Sequence, residues 1–376
     1  MTEDQDKKIK VGIDIRALRI AKTGARTNLE ETCKILRKGH PDFIFYFIDT
    51  IIPVNTGKNK FLKGIEHIRF FIWKQITLPV LCRIKGCHIV FSTDYFAPLL
   101  RLNYKTAVVF YDAFFWEYPE QYNRIWLKLM NTFGVRAARN STIITISEHS
   151  RKKIIQLLGI DPSRIQAIHL APKSSSKQYK KQDSLLDADK KYILHVGVLE
   201  KRKNLPNLIK AFHLLIQEGY DAYYLVLVGS KIPKDHIDDS QQIMDTIAKL
   251  KLEERVILPG FVTDDQLSYY YRNATVYAFV STNEGFGLPV LEAFQNNLPA
   301  LISNNSCLPE IGGDAAITCN PYDVIDIKQK LQQIIDDKAL QQTLITKGKQ
   351  RLQDFSWEKS TNELLERFRQ MHGSAV

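Results

Sequence analysis

The chain has 376 residues, more than one ordinary hydrophobic core accommodates, so its length predicts two domains of similar size. Hydrophobic residues make up 44% and charged residues 25%, which excludes a disordered or fibrous chain. The net charge of +11 suggests a nucleic-acid binder, but residues 1–190 hold 32 Lys and Arg against 18 Asp and Glu, and the remainder holds 20 against 23. A basic excess confined to the first half fits a domain that meets an anionic surface or substrate, or simply a solvated basic face.

Five cysteines (Cys33, Cys82, Cys87, Cys307 and Cys319) are odd in number and share no C-x-x-C spacing. They argue against zinc and against a disulfide framework, and they suit a reducing compartment. The charged start, Met1 to Lys8, has no apolar stretch behind it and does not read as a secretory signal. No apolar run approaches the roughly twenty residues of a spanning helix. The expectation is a cytoplasmic protein, at most peripheral at a membrane surface.

Short apolar strands alternate with longer amphipathic stretches, the pattern of parallel sheets joined by helices. Strands are predicted at Ile9–Ile15, Phe43–Ile48, His88–Phe91, Thr106–Tyr111 and Thr142–Ile146. A loop is expected at Thr23–Arg26, with a helix from about Asn28 to Leu36. Ser147 is placed to cap the helix through Lys152–Leu158. The stretch Ile68–Arg83 mixes aromatic, aliphatic and basic residues. A buried helix is the plainer reading, and a helix lying on an anionic membrane is the other. Lys173–Lys191, rich in Ser, Lys, Gln and Asp, reads as an interdomain connection.

The alternation then restarts: strand Tyr192–Val196, helix Asn204–Glu218, and strands Tyr224–Val228, Arg255–Leu258, Val276–Val280 and Ala300–Ile302. A last amphipathic helix follows Phe355-Ser-Trp357 and runs to about Met371. The fold class is α/β, with two doubly wound domains whose strand ends point their loops into a cleft. The domains are expected at 1–180, joined by a terminal helix over 356–376, and at 190–355.

The segment richest in chemical meaning is Glu284-Gly-Phe-Gly-Leu-Pro-Val-Leu-Glu292, directly after a strand. Gly285 and Gly287 lack a Cβ and let the backbone approach a ligand. The amides at the following helix start can hold phosphate oxygens, and Glu292 is placed to accept from ribose hydroxyls. Either glutamate alone reads equally well as an acid favoured near a helix N-terminus. The second segment, His195-Val-Gly197-Val-Leu-Glu-Lys-Arg202-Lys203-Asn204, offers cations able to neutralise a diphosphate, or a solvated basic loop.

These segments resemble the retaining nucleotide-sugar glycosyltransferases of family 4, in the mannosyltransferase-like group, which have the GT-B fold of two Rossmann-like domains facing a central cleft. The likeness extends to Val11-Gly-Ile-Asp-Ile-Arg16, Thr23-Gly24, Ile146-Ser-Glu-His-Ser-Arg151 and Pro259-Gly-Phe-Val-Thr-Asp-Asp-Gln-Leu267, and Glu284–Glu292 fits the family's E-x7-E motif. It implies that Glu292 binds the ribose and that Glu284, with the backbone around Phe286 and Gly287, holds donor-sugar hydroxyls. Arg202 and Lys203 would grip the diphosphate beside Gly197, helped by the Gly287 and Leu288 amides. Phe261 and Val262 would lie against the base. The terminal helix would cross back onto the first domain.

On the acceptor side, Tyr111-Asp112 stands where the family usually has His-Asp. Tyrosine can donate a hydrogen bond but carries no proton near neutral pH. Arg26 stands where a second glycine is common after Gly24. It would crowd the diphosphate, contact an anionic acceptor, or point outward. Val198 follows Gly197 where many relatives carry Arg, Thr or Ser, which leaves more of the phosphate work to Arg202 and Lys203.

The expected reaction moves a hexose, with a lean to mannose from GDP-mannose, onto a saccharide or lipid-linked saccharide with retention of configuration. The resemblance implies front-face attack in which the departing diphosphate takes the acceptor proton, without a metal or other cofactor. Two D-x-D sequences, Asp4-Gln-Asp6 and Asp187-Ala-Asp189, follow no strand and are rejected as metal sites. Two rival readings are a non-catalytic partner that keeps the fold and a dinucleotide-dependent oxidoreductase. The second has only a partial G-x-G at Gly285-Phe-Gly287 and no glycine fingerprint near Gly12. Nucleic acid is not expected as a partner.

Overall fold

Among the residues that the computed structural model describes (7–21, 23–54, 60–173, 190–231 and 237–373), twelve strands form two parallel six-stranded sheets. The first holds β1 (Ile9–Asp14), β2 (Phe43–Ile48), β3 (Ile89–Ser92), β4 (Lys105–Val109), β5 (Thr142–Thr145) and β6 (Ile165–Ala167), in the order β2-β1-β3-β4-β5-β6. The second holds β7 (Lys191–Val196), β8 (Tyr223–Val228), β9 (Val256–Gly260), β10 (Val276–Phe279), β11 (Ala300–Ser303) and β12 (Ala316–Cys319), in the order β12-β11-β10-β7-β8-β9. The N-terminus before Lys7, nearly all of the Lys173–Lys191 connection and both D-x-D sequences lie outside the described residues.

Helices cover both faces of each sheet, which is why the central strands are apolar on successive residues rather than alternating. All four residues of β3, β10 and β11 are buried. In each sheet the chain winds outward from one central strand, returns, and winds outward on the other side. The reversals fall between β1 and β3 and between β7 and β10. Loops at such a reversal diverge and leave room for a ligand at the carboxyl ends of the strands.

The chain divides into two units, Met1–Leu170 with Trp357–Val376, and Ala171–Ser356. The helix Trp357–Gly373 belongs to the first unit because its apolar stripe completes that core. Leu364, Leu365, Phe368 and Met371 are buried with Val11, Ile13, Ile89 and Phe91. The Lys105 ammonium donates to the Met371 carbonyl (2.7 Å), and Arg369 donates to Asp42 (2.8 Å). Ser147 caps the helix Glu148–Leu158 by accepting from the Ser150 amide (3.1 Å), and Gly159 ends it in the left-handed region at φ 61°.

Three sequence expectations change. The expected loop at Thr23–Arg26 is the first turn of a helix, Thr23–Leu36, so Gly24 and Arg26 are helical. A glycine near a helix start is tolerated where fewer intrahelical bonds depend on it, and Arg26 gains an i,i+4 partner there, Nε to Glu30 Oε1 at 2.7 Å. The stretch Ile68–Arg83 is helical but not buried throughout. It belongs to a helical run of Lys60–Ile72, a π-turn Trp73–Thr77 and Leu78–Ile84, with one face buried and the other in solvent. Two strands, β6 and β12, escape the sequence pattern.

Candidate active site

β7 and β10 are adjacent parallel strands, so the loops that follow them emerge side by side at the reversal of the second sheet. The backbone ties them together: the Thr282 amide donates to the Arg202 carbonyl (2.8 Å), and Asn204 Nδ2 donates to the carbonyls of Val280 (3.1 Å) and Pro321 (2.6 Å). Asn204 takes a left-handed conformation, φ 58°, between the 3-10 turn Lys201–Lys203 and the helix Leu205–Gln217. Asparagine tolerates that region better than other residues with a Cβ.

This stitching places Glu284 between two cations. Its Oε1 accepts from Lys203 Nζ and its Oε2 from Arg202 Nη1, both at 2.6 Å, and Arg202 also pairs with Glu200. Burial alone would raise the Glu284 pKa, but Arg202 and Lys203 outweigh it and bring the group down to about 2. The Lys203 pKa is lowered, chiefly by burial and only partly offset by Glu284, and its ammonium sits 4.6 Å from the centre of the Phe279 ring. Glu200, Arg202, Lys203 and Glu284 thus form a cluster of zero net charge. Neighbouring His195 is held neutral, its pKa lowered to about 4 by burial and by Lys203, and its Nδ1 bonds the Ala278 carbonyl at 2.9 Å. Gly197 sits in a tight place: a Cβ there would lie 3.1 Å from His195 Nε2 and 3.2 Å from Lys203 Cε.

The glycine turn has its own constraint. Gly287 precedes the helix Leu288–Gln295 with φ 107°, and a Cβ would stand 2.8 Å from Leu308 Cδ2. The Gly287 and Leu288 amides donate to no group among the described residues, which leaves two adjacent donors at a helix start for an anion. Four residues into the helix, Glu292 Oε2 accepts from the Tyr271 hydroxyl at 2.9 Å. Burial raises the Glu292 pKa, and the Tyr271 hydrogen bond works against that rise. Phe286 is buried against Phe355. The Cys307 thiol lies within hydrogen-bond reach of the Glu284 and Phe286 carbonyls (3.1 and 2.9 Å).

Tyr271 and Cys307 are site residues that sequence reasoning missed. Tyr271 rides on the helix Asp264–Asn273, directly after Phe261 and Val262, so one element connects those residues to Glu292. Phe261 is 85% exposed beyond the edge strand β9, an aromatic face open to a ligand ring, and Val262 is partly buried.

The residues expected on the acceptor side belong to the first unit. The Tyr111 hydroxyl donates to the Thr93 carbonyl (3.3 Å) and accepts from Asn28 Nδ2 (3.4 Å), and burial pushes its pKa up. Asp112 Oδ1 accepts from the Tyr95 hydroxyl (2.9 Å) and the Phe114 amide (3.1 Å), which ties the loop after β4 to a short helix. Arg26 is exposed and paired with Glu30. The structure therefore brings Arg202, Lys203 and Glu284 into contact, with Gly197, Gly287 and Leu288 in the same pair of loops. It places Tyr111, Asp112, Gly24 and Arg26 on the other unit.

Residues 176–351 match the family described as Glycosyl transferases group 1, and this stretch contains every second-unit site residue. Over 233 residues, 60% of its length, the chain is 30% identical to the O-antigen chain mannosyltransferase B of Escherichia coli, and over 237 residues, 61% of its length, it is 28% identical to the serotype-specific mannosyltransferase WbdA of the same organism. The matches span about 60% of the first relative's length and 29% of the second's. The sucrose-phosphate synthase of Thermosynechococcus elongatus superposes with a TM-score of 0.72 at 16% identity, covering 98% of this chain and 100% of that one. Anabaena HepE in complex with UDP-glucose superposes with a TM-score of 0.65 at 15% identity, covering 96% and 100%. The fold is GT-B.

Proposed function

We propose that this protein is a retaining hexosyltransferase that moves mannose from GDP-mannose to a saccharide or lipid-linked saccharide in the assembly of cell-surface glycans. It would act as a peripheral protein at the cytoplasmic face of a membrane. The observation that carries this reading is the Arg202–Glu284–Lys203 cluster beside the open Gly287 and Leu288 amides, inside the stretch that matches the Glycosyl transferases group 1 family. Two similar proteins are named as mannosyltransferases, which supports the choice of sugar.

In this reading the diphosphate lies against the two amides, and Arg202 and Lys203 reach its oxygens while still paired with Glu284. With a pKa of about 2, Glu284 is an acceptor only and binds sugar hydroxyls rather than donating a proton. Both of its oxygens are engaged by cations, which makes it a poor nucleophile. Such chemistry fits attack on the donor's own leaving-group face, with the diphosphate taking the acceptor proton and the protein supplying position and charge. Glu292 holds the ribose, and Phe261 and Val262 lie against the base. The scheme needs no metal ion.

Thermal-shift titration with a panel of nucleotide sugars tests the donor. GDP-mannose is expected to raise Tm most, Glu292→Ala to weaken that shift, and Lys203→Ala to abolish transfer. Wild-type turnover by both variants would remove the site assignment. Absence of any turnover, with or without acceptor, would favour the non-catalytic partner. Activity should survive excess EDTA, and its loss there would overturn the metal-free scheme.

A further inference from the structure

The outer face of the helical run Lys60–Ile84 carries Ile65, Ile68, Ile72, Ile76, Val80 and Ile84, between 40% and 75% exposed. Single exposed aliphatics are ordinary, but a row of six on one element is not. In an α-helix, residues spaced by four drift around the axis. The π-turn at Trp73–Thr77, with its wider i→i+5 turns, takes up part of that drift and keeps the row on one side for about 28 Å. The opposite side is fixed in the fold: Trp73, Lys74, Leu78 and Cys82 are buried, and Lys74 pairs with both Asp14 and Asp94 at 2.5 Å. The row is therefore held rigidly outward. Next to it, Arg69 donates to the Pro53 carbonyl (3.1 Å), which keeps exposed Ile51 and Ile52 beside the helix.

The charge around the row has one sign. Between residues 60 and 85 the only acid is Glu66, which is buried and paired with Arg16 and Arg69. Arg83 and Lys85 are exposed at the far end. The His67 ring lies 6.0 Å from that of Trp126, tilted by 45°, and so the helix Arg124–Leu129 comes up beside it, with Arg124, Ile125 and Lys128 exposed. Among the described residues Arg83, Arg124 and Lys128 enter no ion pair. A second copy of this chain would set these cations against themselves, whereas an anionic bilayer supplies both the apolar layer and the counter-charge.

We infer that this face seats the protein on anionic lipid, with the aliphatic row at the boundary of headgroups and acyl chains and the flanking cations on lipid phosphates. The inference rests on the peripheral placement proposed above and assigns the face that performs it; vesicle binding reads no sugar chemistry. Co-sedimentation of the full chain with vesicles of phosphatidylcholine and phosphatidylglycerol tests it. Binding is expected to be at least tenfold tighter than to phosphatidylcholine alone and to weaken as salt rises. The double variant Ile72→Asp, Ile76→Asp should lose tenfold or more, and Arg124→Glu with Lys128→Glu should lose binding while keeping the wild-type Tm. No binding by the wild type would overturn both the face and the peripheral placement. Undiminished binding by both variants would overturn the face alone. A wild-type dimer that the isoleucine variant converts to monomer would assign the row to a second copy instead.

Discussion

At Glu284 burial favours the neutral acid and two cations favour the carboxylate, and the cations prevail. A carboxylate whose folded pKa lies at about 2, below its ordinary 4.5, contributes stability that is complete above about pH 5 and lost as pH falls toward 2. The contribution is about 3 kcal/mol by linkage, and removing the carboxylate also leaves Lys203 buried without its partner, a penalty of roughly 3–5 kcal/mol. Glu284→Gln should therefore lower Tm sharply at pH 7, and the gap to wild type should shrink between pH 5 and pH 2, as followed by circular dichroism. A gap independent of pH would show that the ion pairs contribute little. In the proposed reading Tyr271 acts through Glu292 as a positioning residue. Tyr271→Phe should raise the donor KM several-fold with kcat near wild type. Because the lost hydrogen bond was holding the Glu292 pKa down, the acid rise in KM should begin at a higher pH. A kcat loss at unchanged KM would contradict that role.

At the scale of elements, the candidate site exists because β7 and β10 are neighbours, and the seating of the loop after β7 against the loop after β8 is tested at Gly229. A Cβ there would lie 1.8 Å from the Gly197 carbonyl oxygen, a clash with backbone that no rotamer relieves. Gly229→Ala should cost about 2 kcal/mol or more and weaken donor binding, measured by denaturant unfolding and by titration. A silent variant would mean that the loop after β8 moves freely.

Much of this level was legible in the sequence. Phe43–Ile48 is wholly apolar and forms β2 with the predicted bounds. The eight-residue spacing of Glu284 and Glu292 already placed both on one turn and helix. What stayed hidden has physical causes. β6 is three residues long with only Ile165 buried, and β12 has no large apolar run, so neither stands out from a loop. Thr23-Gly24 carries turn residues that a helix start also accepts. Tyr271 and Cys307 reach their partners from other elements, 21 and 23 residues away, and no local pattern encodes such pairings. The cations of the second unit seemed free to meet a diphosphate, yet in the fold Glu284 and Glu200 already neutralise them.

For the whole molecule, the first unit is assembled from both ends of the chain. Burying Leu364, Leu365, Phe368 and Met371 is worth roughly 6–12 kcal/mol at 1.5–3 kcal/mol per side chain, comparable to the total stability of a domain. A chain ending at Ser356 should keep hydrogen-exchange protection in β7, β8 and β10 and lose it in β1 and β3. Equal protection in both sheets would show that the terminal helix is dispensable. The same arrangement sets an order of events on the ribosome. All of the second unit is synthesised before the residues that finish the first one. At translation rates of roughly 5–20 residues per second, the first sheet waits roughly 10–40 s for its last helix. During that interval the surface later covered by Phe368 stands open to any passing apolar chain. The nascent protein is therefore most vulnerable in the half that was synthesised first.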